Sequence, residues 1–247
     1  MEKLTELLRG IARYVKLEKL LPALRAQRDE AKQTLKQKEL EAAQWKYEAD
    51  QWEHPGFFRR LLGNTAEKQE AALMKLRTAR ADRDAAKQNL AVLEEKLEKG
   101  TAEFDSLANC LDDYGRAKQD FLATADPEEA VQLRELELEL LRPVALTRLR
   151  QLREALEALR PGMRRDTLTT LDGLYGNKFA LLDLADQRSE QFRALLAHLP
   201  AEGIALGASL TFPSGYIRSV TNDRAQLDRV NIAIDQSYRV QKQISGL

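Results

Sequence analysis

"ALMKLRTARADRDAAKQNLAVLEEKLEKG", residues 72–100, places small or apolar residues at alternating steps of three and four. Ala72, Leu76, Ala79, Ala86, Leu90, Leu93 and Leu97 fall on one face, with Arg83 and Gly100 as its only departures. This spacing is the seam of a coiled coil, in which one stripe of a helix packs on a partner. It continues through Phe104, Leu107, Leu111, Tyr114, Lys118 and Phe121, predicting an almost unbroken helix over 65–122. Arg83 and Lys118 are compatible with a seam because long basic stems lie along it while their charges reach water.

Residues 23–53 repeat the spacing at Leu24, Arg28, Ala31, Leu35, Lys38, Ala42, Trp45, Ala49 and Trp52. Upstream, Leu4, Leu7, Leu8, Ile11, Val15 and Leu20 form an apolar face. Pro22 lies between these stretches and predicts a kink or short break, since proline costs about 3 kcal/mol inside a helix. Folding the two stretches back at about residue 59 pairs their stripes. Leu7 then meets Leu111, Ile11 meets Leu107, Tyr14 meets Phe104, Leu21 meets Leu97, Ala42 meets Leu76 and Trp45 meets Leu73. Alanines towards the turn let the helices approach closely, and the two tryptophans fill the remaining space. Arms of about 50 residues reach roughly 75 Å at 1.5 Å per residue.

The turn, 54–64, reads "HPGFFRRLLGN". His54-Pro55-Gly56 stops the first arm, and Asn64 with Glu67 three residues on caps the second. Between them Phe57, Phe58, Arg59, Arg60, Leu61 and Leu62 form an apolar and basic tip. Three uses are open to it: a cap folded back on Trp52 and Met74, a contact with another protein, or shallow contact with an anionic membrane surface.

The second half predicts a smaller helical bundle. Asp126 caps a helix whose first position is Pro127 and whose first turn carries Glu128 and Glu129. Leu141, Ala145, Leu149, Leu152, Leu156 and Leu159 give that helix its apolar face, with a bend allowed at Pro143 and an end at Pro161-Gly162. Two helices are expected next, over about 164–175 and 178–198, separated by a turn at Gly176-Asn177. Residues 203–220 alternate at Ile204, Leu206, Ala208, Leu210 and Phe212, which suits a short β-ribbon or an extended loop. A last helix follows Asn222 with Leu227, Val230, Ile234 and Tyr238 on one face, and "QISGL" at the end is expected to fray. The predicted fold class is therefore all-α, with a long antiparallel coiled-coil hairpin over 1–123 and a helical bundle over 124–247.

Composition narrows the function classes. Charged residues make up 32% and aromatics 6%, which suits long helices with narrow seams. Lys plus Arg and Asp plus Glu both total 39, so no net charge favours nucleic acid. Cys110 is the single cysteine, which excludes an internal disulfide and CxxC motifs and fits a reducing, cytoplasmic setting. No signal-peptide pattern and no run of about 18 apolar residues is present.

A search for chemistry finds no catalytic, metal or cofactor signature. His54 and His198 have no second ligand at metal spacing. Asp112-Asp113 and Glu94-Glu95 read as solvated helix faces, and "GIALGAS" at 203–209 lacks the pattern of a phosphate loop. Cys110, beside Leu111, reads as a buried structural thiol. Residues 1–28 hold seven Lys/Arg against three acids, on a helix whose apolar face already has partners in the second arm. The expectation is a non-enzymatic scaffold that binds another protein or another copy of itself, with anionic-membrane binding through the same tip as the alternative.

Overall fold

The computed structural model describes residues 1–53, 65–164, 171–199 and 223–247. The tip, 54–64, and the segment 203–220 lie outside the described residues, and with them the expected β-ribbon or loop. The described elements are helices: α1 (Glu2–Glu53), α2 (Thr65–Ser106), α3 (Cys110–Leu122), α4 (Pro127–Arg164), α5 (Leu171–Leu196) and α6 (Asp223–Ser245). The protein is all-α, as its periodicity requires, and the chain forms two compact units. One comprises Lys16–Ser106; the other joins Met1–Val15 to Leu107–Leu247.

The Lys16–Ser106 unit is the antiparallel hairpin. Every seam position read from the sequence between Leu24 and Trp52 on α1, and between Ala72 and Gly100 on α2, is buried or half-buried. Cross-arm contacts fix the register. Lys75 lies over the Trp45 ring, Lys68 over Trp52, Lys38 pairs with Asp82, and Leu21 packs at Gly100. Each of these pairs is centred on position 60 or within one residue of it, against the expected centre at about 59. Small residues set the spacing of the arms: a Cβ on Gly100 would stand 3.1 Å from Leu21 Cδ2. Leu73, expected against Trp45, instead sits on the exposed side, and Lys75 takes that place.

Two expected features of the arms differ. Helix α1 runs unbroken through Pro22. Pro22 is itself exposed, turned away from the seam, while Leu17 and Leu21 are buried beside it. The break falls in the other arm, at 107–109, between α2 and α3. There Ser106 Oγ donates to Glu103 O at 2.7 Å, Cys110 N–H donates to Leu107 O at 3.1 Å, and Asn109 leaves helical geometry at φ −98°. The Ser106 hydroxyl takes a helical carbonyl as its partner and Asn109 turns the backbone without a side-chain cap, so this stretch stops a helix that the apolar spacing alone would continue.

In the other unit, α4 is the central helix and packs against both α5 and α6. Its start is a capping box: Glu129 N–H donates to Asp126 Oδ1 at 2.8 Å, and Asp126 N–H donates to Glu129 Oε2 at 3.1 Å. Leu141, Ala145, Leu149, Leu152, Leu156 and Leu159 are all buried, and the helix passes Pro143 and Pro161 without interruption. Leu4, Leu8, Ile11 and Val15 of α1 belong to this same core, so the compact units divide the chain differently from a boundary at 123. Helix α5 continues through Gly176-Asn177, where a turn was expected; glycine inside a helix costs only about 1 kcal/mol relative to alanine. The end of the chain is held as well, with Ile244 fully buried rather than frayed. Tyr238, expected on the inner face of α6, is exposed at its edge, with Arg153 stacked over its ring at 3.8 Å.

Truncating Leu149 to Ala removes a side chain at the centre of this core. It is expected to destabilise the Leu107–Leu247 unit by roughly 2–5 kcal/mol in a urea titration followed by circular dichroism. Asp126→Ala, which removes only the cap, is expected to cost about 1 kcal/mol.

Candidate functional site

The six tip residues read from the sequence, Phe57, Phe58, Arg59, Arg60, Leu61 and Leu62, lie outside the described residues. What leads up to them is described. Ala49, Ala72 and Leu76 form a small buried cluster closed by Trp45 and Trp52. Lysines cover the rings, with Lys75 Nζ 4.2 Å and Lys68 Nζ 5.3 Å from the ring centres of Trp45 and Trp52. A cation over an indole face is attracted by the ring quadrupole, while the lysine stem covers apolar surface. On the outer face of α1, opposite the seam, Tyr47 and Leu40 are 68% and 58% exposed.

One flank of the hairpin forms a shallow groove lined by Ala42, Lys46, Arg80, Arg83 and Lys87, with Glu39 and Asp84 as its acids. Arg83 is held by Asp84 at 2.7 Å. This flank carries more basic than acidic charge within a neutral chain.

The Leu107–Leu247 unit contains a polar cluster that the sequence reading missed. Glu137 is only 1% exposed. Its Oε1 accepts from the Tyr114 hydroxyl and from Lys118 Nζ, and Lys118 also reaches His198 O at 3.5 Å. The His198 ring stands edge-on to Tyr114 with centres 5.5 Å apart and packs at Gly115, where a Cβ would come 3.1 Å from its Cε1. Burial, the hydrogen bond to Glu137 and its charge push the Tyr114 phenol well above its usual range. Burial, then the Lys118 charge, hold the His198 imidazole below its ordinary value, against the smaller opposing pull of Glu137 and Asp112. His198 is thus a packed, neutral-favouring ring just beyond the end of α5.

The signal for Glu137 was present in the sequence. Leu133, Glu137 and Leu141 are spaced by four, so the acid interrupts an apolar ladder on α4. Arg148 does the same between Val144 and Leu152 and is also buried, donating to Gln151 Oε1 at 3.1 Å and Gln191 Oε1 at 3.0 Å. Beside Arg148 is a cleft of about 340 Å³ lined by Ile11, Cys110, Leu111, Glu190 and Leu195. Cys110 is half-buried, and burial followed by the Asp113 charge raises its pKa, which keeps it a thiol. Its Sγ would stand 2.9 Å from a Cβ at position 10, so Gly10 is the residue that admits it.

Among the described residues no group of three His, Cys, Asp or Glu could hold a metal ion, and no helix is long and apolar enough to cross a membrane. Asp113 pairs with Arg116, Glu95 with Lys99, and Glu94 with Lys32, all on exposed faces. No family model, curated protein or solved structure matches the chain.

Two measurements check the cluster. Glu137→Ala removes the carboxylate that accepts from both Lys118 and the Tyr114 hydroxyl and is expected to cost about 3 kcal/mol in denaturant titration. His198 has a folded-state pKa below its ordinary 6.5, so the unfolded chain binds the extra proton first. Its contribution to stability is complete above pH 6.5 and is lost as pH falls towards the folded pKa. Melting temperature should therefore drop less between pH 7 and pH 5 in His198→Phe than in the parent chain.

Proposed function

We propose that the chain is a non-enzymatic interaction scaffold whose hairpin presents Phe57, Phe58, Arg59, Arg60, Leu61 and Leu62 to another protein. The observation that carries this reading is the closure of the seam by the arms themselves. Up to Trp52 the seam is filled by Ala49, Ala72, Leu76 and the two lysine-covered tryptophans, so the described hairpin is complete without the tip. Exposed Tyr47 and Leu40 extend apolar surface back from the tip along α1. Aromatic anchors with arginines at the rim are the composition of protein-contact hot spots. The chemistry such a tip supplies is apolar burial and charge pairing.

A second reading, contact with an anionic membrane surface in the cytoplasm, is favoured by one observation. Lysines stack on both tryptophans beside the tip, an arrangement of cations and amphipathic rings that suits a lipid headgroup layer.

Replacing both Phe57 and Phe58 by Asp is expected to abolish partner capture in a pull-down while leaving helicity and melting temperature unchanged. A large drop in melting temperature would show instead that the pair is core. Co-sedimentation with anionic and neutral vesicles separates the two readings. Pelleting only with anionic lipid, lost in the double variant, favours the membrane.

A further inference from the structure

Helix α2 carries a second heptad stripe on the side opposite its seam. Ala71, Met74, Thr78, Ala81, Ala85, Gln88 and Val92 follow the same alternation of three and four, and all seven are exposed. None is charged, on a chain in which charged residues make up 32% of the sequence. Met74 and Val92 are 57% and 46% exposed, so the stripe contains large apolar groups on the outside of a helix whose other face is already packed. A solvated outer face of a hairpin is normally where the charges lie.

We infer that this face pairs with the same face of a second copy of the chain, antiparallel, to form a four-helix arrangement of two hairpins. The charges that flank the stripe select both the occupant and the register. A two-fold antiparallel pairing that sets Met74 opposite Ala85 of the second copy, Thr78 opposite Ala81 and Ala71 opposite Gln88 alternates large with small over these central layers, with Val92 at the end facing the stem of Glu67. That register brings Arg77 opposite Asp84, twice by symmetry, and places Lys75, whose ammonium lies over Trp45 within the chain, on the same side as Asp82 of the second copy. Both acids retain exposed carboxylates, 47% for Asp82 and 58% for Asp84, despite their partners Lys38 and Arg83 within the chain. Sliding one heptad, so that Met74 faces Val92, sets Asp82 against its own copy, Asp84 against its own copy and Glu70 against Glu98. A parallel pairing stacks Met74 on Met74 and Ala81 on Ala81, leaving layers alternately crowded and hollow. The outer face of α1 is a poorer match, because antiparallel pairing about Leu40 and Gln44 places Glu41 opposite itself. This surface is separate from the tip, and the inference stands whether or not the tip binds a protein.

A charge-swap pair tests it by sedimentation velocity on the full chain at micromolar concentration. The parent chain is expected to sediment as a dimer of two 28.0 kDa chains. Arg77→Asp alone and Asp84→Arg alone each create two like-charge contacts and should lose the dimer, with helicity unchanged by circular dichroism. An equimolar mixture of the two variants should regain it, because every flanking pair in the mixed dimer is again of opposite sign. A monomeric parent chain overturns the inference. So does a dimer that survives Asp84→Arg, or two monomeric variants that fail to recover the dimer on mixing.

Discussion

The antiparallel register of α1 against α2 is the constraint on which the hairpin depends. It is set by bulk as much as by charge. Ala31, Ala42 and Ala49 on one arm, and Ala72, Ala79 and Gly100 on the other, bring the helices close, and the two tryptophans occupy the places where the gap reopens. A shift of one heptad would drive Leu21 away from Gly100 and set other side chains against the only position in α2 without a Cβ. The salt bridge Lys38–Asp82 agrees with this register and Lys32–Glu94 reaches diagonally across it, but both contribute little, since exposed pairs are worth at most about 1 kcal/mol.

The other unit solves a different problem. Helix α4 has to serve α5 and α6 at once, and its apolar face is correspondingly broad. Into that face it sets an acid and a base, Glu137 and Arg148, each buried and each provided with polar partners. Buried charges of this kind penalise misalignment strongly, because a displaced partner leaves a charge without its hydrogen bonds. Tyr114, Lys118 and the backbone at His198 converge on one such point, so α3 and the end of α5 are tied to α4 by polar contacts as well as by apolar packing.

Periodicity made most of this legible. The seam positions on both arms, the capping box at Asp126 and the leucine face of α4 follow directly from residue spacing, because a helix buries what recurs at three and four. What spacing does not carry is where a helix stops. Pro22 looked like a break and is absorbed on an exposed face, whereas the milder sequence around Ser106 and Asn109 breaks α2 through side chain and turn hydrogen bonds. Gly176-Asn177 likewise carries a turn signal that the fold overrides. Glu137 and Arg148 were passed over because a charge on an apolar ladder is read as a flaw in the pattern, when it marks a position whose partner comes from another helix. The tip residues are singled out by composition alone, and the role proposed for them rests on that composition together with the closed seam up to Trp52.

The placement of the tryptophans has a practical consequence. The chain has two, and both belong to the Lys16–Ser106 unit, Trp52 at the penultimate position of α1 and Trp45 about two turns before it. Indole fluorescence therefore reports on the hairpin alone. The Met1–Val15 and Leu107–Leu247 unit contains tyrosine and phenylalanine but no tryptophan, so excitation at the red edge of the absorption band leaves it silent. The intact protein thus carries its own two-channel optical probe: indole emission follows the separation of the arms, and far-ultraviolet dichroism follows the whole.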